Sequence, residues 1–129
     1  MSFSKFILNV RFDNQAQKSY VSNEIKIQND KIRITFIGDG GEVFYAVTLI
    51  GEDKVMFSSK GVLAYSFTLE RGKKTNFIIN ALSGEILCEV FCTKLNYIKT
   101  SKSLTVEVCY DLSLGGNKSK NKLLLVGSV

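Results

Sequence analysis

In the stretch "SLTVEVCYDLSLGG", Ser103 to Gly116, apolar and polar positions alternate. Leu104, Val106, Val108, Tyr110, Leu112 and Leu114 fall on one parity; Thr105, Glu107, Cys109, Asp111 and Ser113 fall on the other. Successive side chains of a strand point to opposite faces, so this run predicts a strand with one buried face. Similar runs recur along the chain, predicting strands at roughly 4–12, 18–28, 31–37, 42–50, 53–58, 61–69, 75–81, 84–98, 102–114 and 120–127. Turn residues separate them: Asn29-Asp30, "GDGG" at 38–41, "GED" at 51–53, "RGKK" at 71–74 and Ser83-Gly84. Glycine, asparagine and aspartate there supply positive φ at low steric cost.

No segment repeats its apolar residues at helical spacing, so little or no helix is expected. Links this short imply antiparallel neighbours, because a parallel crossover needs a dozen or more residues. A meander of eight to ten strands removes its exposed edges by closing on itself. The expected fold is all-β: one antiparallel meander barrel spanning residues 1–129. "GDGGE" at 38–42 has strands on both sides, so it reads as a hairpin turn rather than a phosphate loop, which would open a helix.

A chain of 129 residues can bury a core without staples, and 45% hydrophobic with 22% charged residues is ordinary for a globular protein. There is no apolar run of the ~20 residues needed to span a bilayer as a helix. "MSFSKFILNVRF" lacks the unbroken apolar stretch and small-residue site of a signal peptide, so a cytoplasmic setting and no membrane partner are expected.

Candidate chemistry is sparse. The chain has no histidine, which excludes Ser-His-Asp and Cys-His pairs, imidazole ligands and imidazole acid–base catalysis. Cys88 and Cys92 lie four residues apart on one expected strand, about 13 Å, too far for a disulfide or a shared metal. They read as small buried hydrophobes, and Cys109, on the polar parity, as an accessible thiol. Glu85 with Glu89 and Glu107 with Asp111 have the same wide spacing, beyond the ~6.5–9.5 Å of an inverting glycosidase pair. Asp39, Glu42, Glu52 and Asp53 crowd two turns but read as solvated acids rather than a calcium site. No metal, no cofactor and no enzymatic activity are therefore expected.

Net charge is +5, with +1 in residues 1–65 and +4 in residues 66–129. The basic residues gather in "ERGKKT", "KLNYIKTSK" and "NKSKNK", which read as turns or loops. RNA or an acidic partner is the reading such charge invites. Without an RNA-recognition signature, solvated loops account for it better and nucleic acid is disfavoured.

The second half carries a resemblance. "SKGVLAYSFTLERGKK", "EILCEVFCTKL" and "LTVEVCYDLSLGGNKSKNKLLL", with the spacing of Gly61, Tyr65, Phe67 and Gly72 and the segments Tyr110-Asp111-Leu112 and Asn121-Lys122-Leu123, resemble the YwiB-like family. These are small uncharacterised bacterial proteins with a calycin-like, that is lipocalin-like, β-barrel. The match covers about the last seventy residues. It departs at Asn80-Ala81-Leu82-Ser83-Gly84, where the family tends to carry Thr-Pro-Tyr-Gly. The resemblance implies a barrel and a cytoplasmic setting, and supplies no catalytic residues. The narrower secreted lipocalins are excluded, because their Gly-X-Trp signature needs a tryptophan and this chain has none.

A barrel of about eight strands holds either its own side chains or one small ligand. The inward parity here is large: Leu63, Tyr65, Phe67 and Leu69, then Ile86, Cys88, Val90 and Cys92, facing Leu104 to Leu114. A mostly filled interior follows, with a modest pocket at one end near Tyr65, Phe67 and Tyr110. The expected role is a binding module for a small, mostly apolar ligand or a protein partner. The alternative is an interaction protein that binds RNA or an acidic partner through its basic loops.

Overall fold

The computed structural model describes residues 3–61 and 64–129. Leu63, counted above among the inward residues, lies outside them. Ten strands form one antiparallel sheet: β1 (Lys5–Phe12), β2 (Lys18–Gln28), β3 (Lys31–Ile37), β4 (Phe44–Ile50), β5 (Lys54–Lys60), β6 (Tyr65–Glu70), β7 (Lys74–Ala81), β8 (Gly84–Lys99), β9 (Ser103–Leu114) and β10 (Asn117–Ser128). A three-residue 3₁₀ turn, Asp39–Gly41, links β3 to β4. The spatial order is β6-β5-β4-β3-β2-β1-β10-β9-β8-β7, so the first and last strands pair and the meander curls into a nearly closed barrel. The β1–β10 ladder runs from Lys5 opposite Ser128 to Phe12 opposite Asn121.

The alternation seen in the sequence becomes the wall of the core. Leu104, Val106, Val108 and Tyr110 are almost wholly buried, and Leu95 and Leu123 flank Val108 in register on β8 and β10. Phe6, Leu8, Ile34, Phe36, Phe57 and Leu69 complete the packing from the other strands. Space for Phe6 comes from Gly127, its partner across the β1–β10 ladder. A Cβ at Gly127 would lie 2.7 Å from Cζ and 2.8 Å from Cδ1 of that ring. The residue on the inward face of β10 is therefore missing a side chain so that Phe6 can occupy its volume.

Two long strands carry bulges. On β2 the register slips between Ser22 and Glu24, and on β8 between Cys92 and Lys94. An extra residue bends a strand and reverses which parity faces inward. Accordingly β8 buries Cys88, Val90 and Cys92 before the bulge and Leu95 after it.

Two expectations need correction. Residues 117–122, read as a basic loop, belong to β10, and the turn is only Gly115-Gly116, both at positive φ. A two-residue hairpin loop needs just such a pair. Lys118, Lys120 and Lys122 then project outward while Asn121 is buried. "KLNYIK" likewise lies within β8.

The second correction concerns "RGKK". Glu70 to Lys73 does make a turn, closed by the Lys73 amide donating to the Glu70 carbonyl at 3.0 Å, with Gly72 at φ 74°. Among the described residues no ladder joins β6 to β7, however. The turn is bonded to β8 instead. Gly72 N–H donates to the Cys92 carbonyl at 2.8 Å, Cys92 N–H to the Lys73 carbonyl at 3.2 Å, and the Arg71 guanidinium to the Leu95 carbonyl. Across the seam a side chain substitutes for the ladder: Thr75 Oγ1 donates to the Thr68 carbonyl at 2.9 Å.

Replacing Gly127 by alanine should displace Phe6 and lower stability by about 1–3 kcal/mol, the range for overpacked cores. Urea unfolding checks this through a lower midpoint at unchanged slope. Replacing Val108 by aspartate should leave no folded protein, because the charge would enter a dry site with no partner. Circular dichroism after expression would show the loss.

Candidate functional site

Tyr65 and Phe67 of β6 and Tyr110 of β9 are brought together through the Phe67 ring. The Phe67 ring lies 5.5 Å from Tyr110 and 6.2 Å from Tyr65, the latter stacked at 8°. Phe77 of β7 joins them, 5.1 Å from Phe67 and 6.1 Å from Tyr65. The cluster continues through Phe57 and Tyr45 to Tyr20. Such tilted and offset pairs add roughly 0.5–1.5 kcal/mol each beyond area burial.

At the seam this cluster reaches the surface. Between the ends of β5 and β6 and β7 lies a hollow of about 400 Å³, walled by Tyr65, Phe77, Ile78 and Ala64 with Ser58, Ser59, Ser66 and Lys60. On the other side of β7 the same Phe77 and Ile78 border a second hollow over β8, with Leu87 and Cys88. Ile78 and Leu87 pair across the ladder and both are exposed. So β7 is flanked by apolar surface on each side.

The hydroxyls at this end differ in how they are satisfied. Tyr20 donates to Asp39 Oδ2 at 3.2 Å, and Asp39 is held well below the usual carboxylate range by Lys18, 2.8 Å away. Burial pushes the Tyr65 phenol up, and the nearby Ser59 hydroxyl partly offsets the shift. Tyr110 is pushed far up by burial, and its hydroxyl has no hydrogen-bond partner among the described residues. Leaving a buried hydroxyl unpaired costs about 1–3 kcal/mol. All three phenols are therefore protonated at neutral pH and are unsuited to act as bases; Tyr20 is the one seen donating.

Ser59 and Phe77 were not legible as site residues. Ser59 falls just beyond the expected end of its strand, and "NFIIN" is apolar on both parities, which hides the inward one. Asp39, weighed above as a calcium ligand, is engaged with Lys18 and Tyr20. Cys88 and Cys92 are buried and Cys109 is half-exposed, all three free.

The barrel's long chain path and its pairing of first and last strands have a counterpart among solved structures. The crystal structure of the YwiB protein from Bacillus subtilis matches over 97% of this chain and 90% of its own, with a TM-score of 0.69 and 12% sequence identity. The fold is YwiB-like. No family model matches the chain, and no curated protein does. At this identity the likeness concerns the backbone, and the side chains at the seam must be read by themselves. Among the described residues no helix of this YwiB-like barrel is long and apolar enough to cross a membrane.

Its outer face bears mixed charge. A groove of about 510 Å³ over β1, β10, β9 and β8 carries Arg11, Lys120 and Lys122, but also Asp13 and Asp111. Beside it Glu107 bridges Lys94 at 2.7 Å and Lys122 at 2.9 Å. Both ammonium groups hold the Glu107 carboxyl down, to about 2. A carboxylate lowered on folding contributes stability above its unfolded value, and that contribution disappears as pH falls through the folded one. Glu107→Gln should thus cost about 0.5–1 kcal/mol at pH 7, as for partly exposed pairs, and progressively less as pH falls from the ordinary carboxylate range toward and below 2. Denaturant midpoints of both proteins across that range measure the convergence.

Proposed function

We propose that this chain is a non-enzymatic, calycin-type binding module of the cytoplasm that takes a small, mostly apolar molecule at the β6–β7 seam. The observation that carries this reading is the exit of the core's aromatic cluster at that seam, where Tyr65 and Phe77 form walls of an open hollow. Small-molecule sites are concave, mostly apolar and lined by aromatic side chains with a few polar groups. The seam hollow combines two aromatic rings, Tyr65 and Phe77, and the aliphatic Ile78 and Ala64 with Ser58, Ser59, Ser66 and Lys60. The protonated phenols support binding over acid–base catalysis. The calycin resemblance expected from the sequence agrees with a ligand at one end of the barrel.

RNA or an acidic protein on the outer face is the rival. The mixing of Asp13, Asp111 and Glu107 among the lysines weighs against it, since polyanion binding depends on uncompensated cations.

Titration with N-phenyl-1-naphthylamine, a neutral apolar dye, tests the reading. The wild-type protein should give a saturable fluorescence rise. Ala64→Trp, which adds an indole at an exposed wall of the hollow, should weaken it at least several-fold. Ile98→Trp, at an exposed position on β8, should leave it unchanged. Equal binding in the two variants places the dye elsewhere and removes the proposal.

A further inference from the structure

The seam hollow lies where β5 ends; a second hollow, of about 290 Å³, lies at the opposite end of the barrel, beside the turn from which β5 begins. Its floor is made of inward-parity side chains. Ile27 of β2 stands opposite Ile32 of β3 in register, and Tyr97 of β8 falls two residues beyond the buried Leu95. Phe3 joins them from the approach to β1, its ring 5.0 Å from Phe6. Phe3, Ile32 and Tyr97 pack on the core, but Ile27 is 53% exposed, so the barrel end is an apolar cup rather than a seal. Two turns form its rim. Gly51 N–H donates to the Asp30 carbonyl at 3.3 Å, which holds the β2–β3 and β4–β5 turns together and brings Asp30 and Glu52 to the same hollow. Both residues are exposed, and neither forms an ion pair among the described residues. Burial pushes the Tyr97 phenol up, and the charge of Glu52 adds to that shift across the cup.

We propose that this cup binds a small primary ammonium carried on an apolar body, of the arylalkylamine class. The body packs on Phe3, Ile32 and Tyr97, and the ammonium donates to Glu52 and Asp30 at the rim. Charge selects the head group. The walls carry two carboxylates against one base, Lys99, on a chain whose net charge is +5. An anionic head would meet both carboxylates, and a neutral one would forgo the charge-assisted hydrogen bonds that an ammonium makes. The rings of Phe3 and Tyr97 add attraction for a cation. A bare calcium ion fits less well, since it takes roughly six to eight oxygen ligands. Among the described residues no three acidic or cysteine side chains gather to supply them, and an apolar floor offers none. The cup shares no residue with the seam hollow, so this inference stands apart from the dye site.

2-Phenylethylammonium and 2-phenylethanol have nearly the same shape and differ in the charge of the head group. Titrated into the intact protein at low salt and followed by nuclear magnetic resonance, the ammonium should bind about three- to tenfold more tightly, the worth of two exposed charge contacts. The preference should shrink in roughly 0.5 M sodium chloride, where exposed charges are screened. Glu52→Gln should remove part of it, and Glu52→Gln with Asp30→Asn should erase it while leaving 2-phenylethanol binding as it was. Glu85→Gln with Asp111→Asn removes the same charge from exposed positions on β8 and β9 and should keep the preference. Failure of the ammonium to bind, or equal binding of both probes to the wild type, overturns the proposal. A preference that survives the loss of Asp30 and Glu52 also overturns it. So does one lost equally in the Glu85 and Asp111 variant, which would assign it to the protein's overall field.

Discussion

The main chain of Cys92 decides the shape of this barrel. Its N–H and carbonyl are bonded to Lys73 and Gly72, so the turn after β6 is tied to β8. The bulge at Thr93 is what turns this segment, and the Arg71 guanidinium reaches past it to the Leu95 carbonyl. With the turn held there, β7 is committed to β8 along its length, from Lys74 opposite Phe91 to Ala81 opposite Gly84. β6 is left on β5 alone. Every other neighbouring pair is joined by backbone hydrogen bonds, so the sheet's two edges meet at one seam. An unpaired edge is a liability that proteins usually cover. Here β6 and β7 face each other, linked by Thr75 and sealed beneath by Phe67 and Phe77.

A filled interior follows from side-chain volume rather than from strand number. Ten strands could enclose a cavity, yet the inward positions carry phenylalanine, tyrosine, leucine and isoleucine from nearly every strand. The small inward residues are used up: Gly127 admits Phe6, and Cys88 and Cys92 lie beneath the aromatic cluster's side of the sheet. At the β6–β7 seam the aromatic packing stops and a hollow opens.

The strands were legible because alternation is a local signal, and all ten are present with ends displaced by a few residues. The bulges were legible too, in principle. On β8 the apolar parity flips between Cys92 and Leu95, and on β2 between Tyr20 and Ile25. The seam was not. Glu70-Arg71-Gly72-Lys73 has all the local chemistry of a hairpin turn, and the bonds that divert it come from a carbonyl and an amide twenty residues away, which no side-chain pattern encodes. Residues 117–122 misled for the opposite reason. At the barrel's end both faces of β10 meet water or polar partners, so alternation fades although the ladder continues. Tyr65, Phe67 and Tyr110 could be chosen by parity and size; that they share one cluster depends on register, and Phe77 had no parity signal.

The tyrosines of the seam end differ in how their hydroxyls are engaged. Tyr20 has a carboxylate, Asp39, itself anchored by Lys18 in water. Tyr65, half-buried, stands in the wall of the seam hollow. Tyr110, deepest, has no partner among the described residues. Phenylalanine at that position would pack the same ring without the penalty, so stability alone gives no reason for the oxygen. The strand that opened the sequence as a regular alternation thus walls the core with Leu104, Val106 and Val108, and departs from pure packing at one atom, the phenolic oxygen of Tyr110.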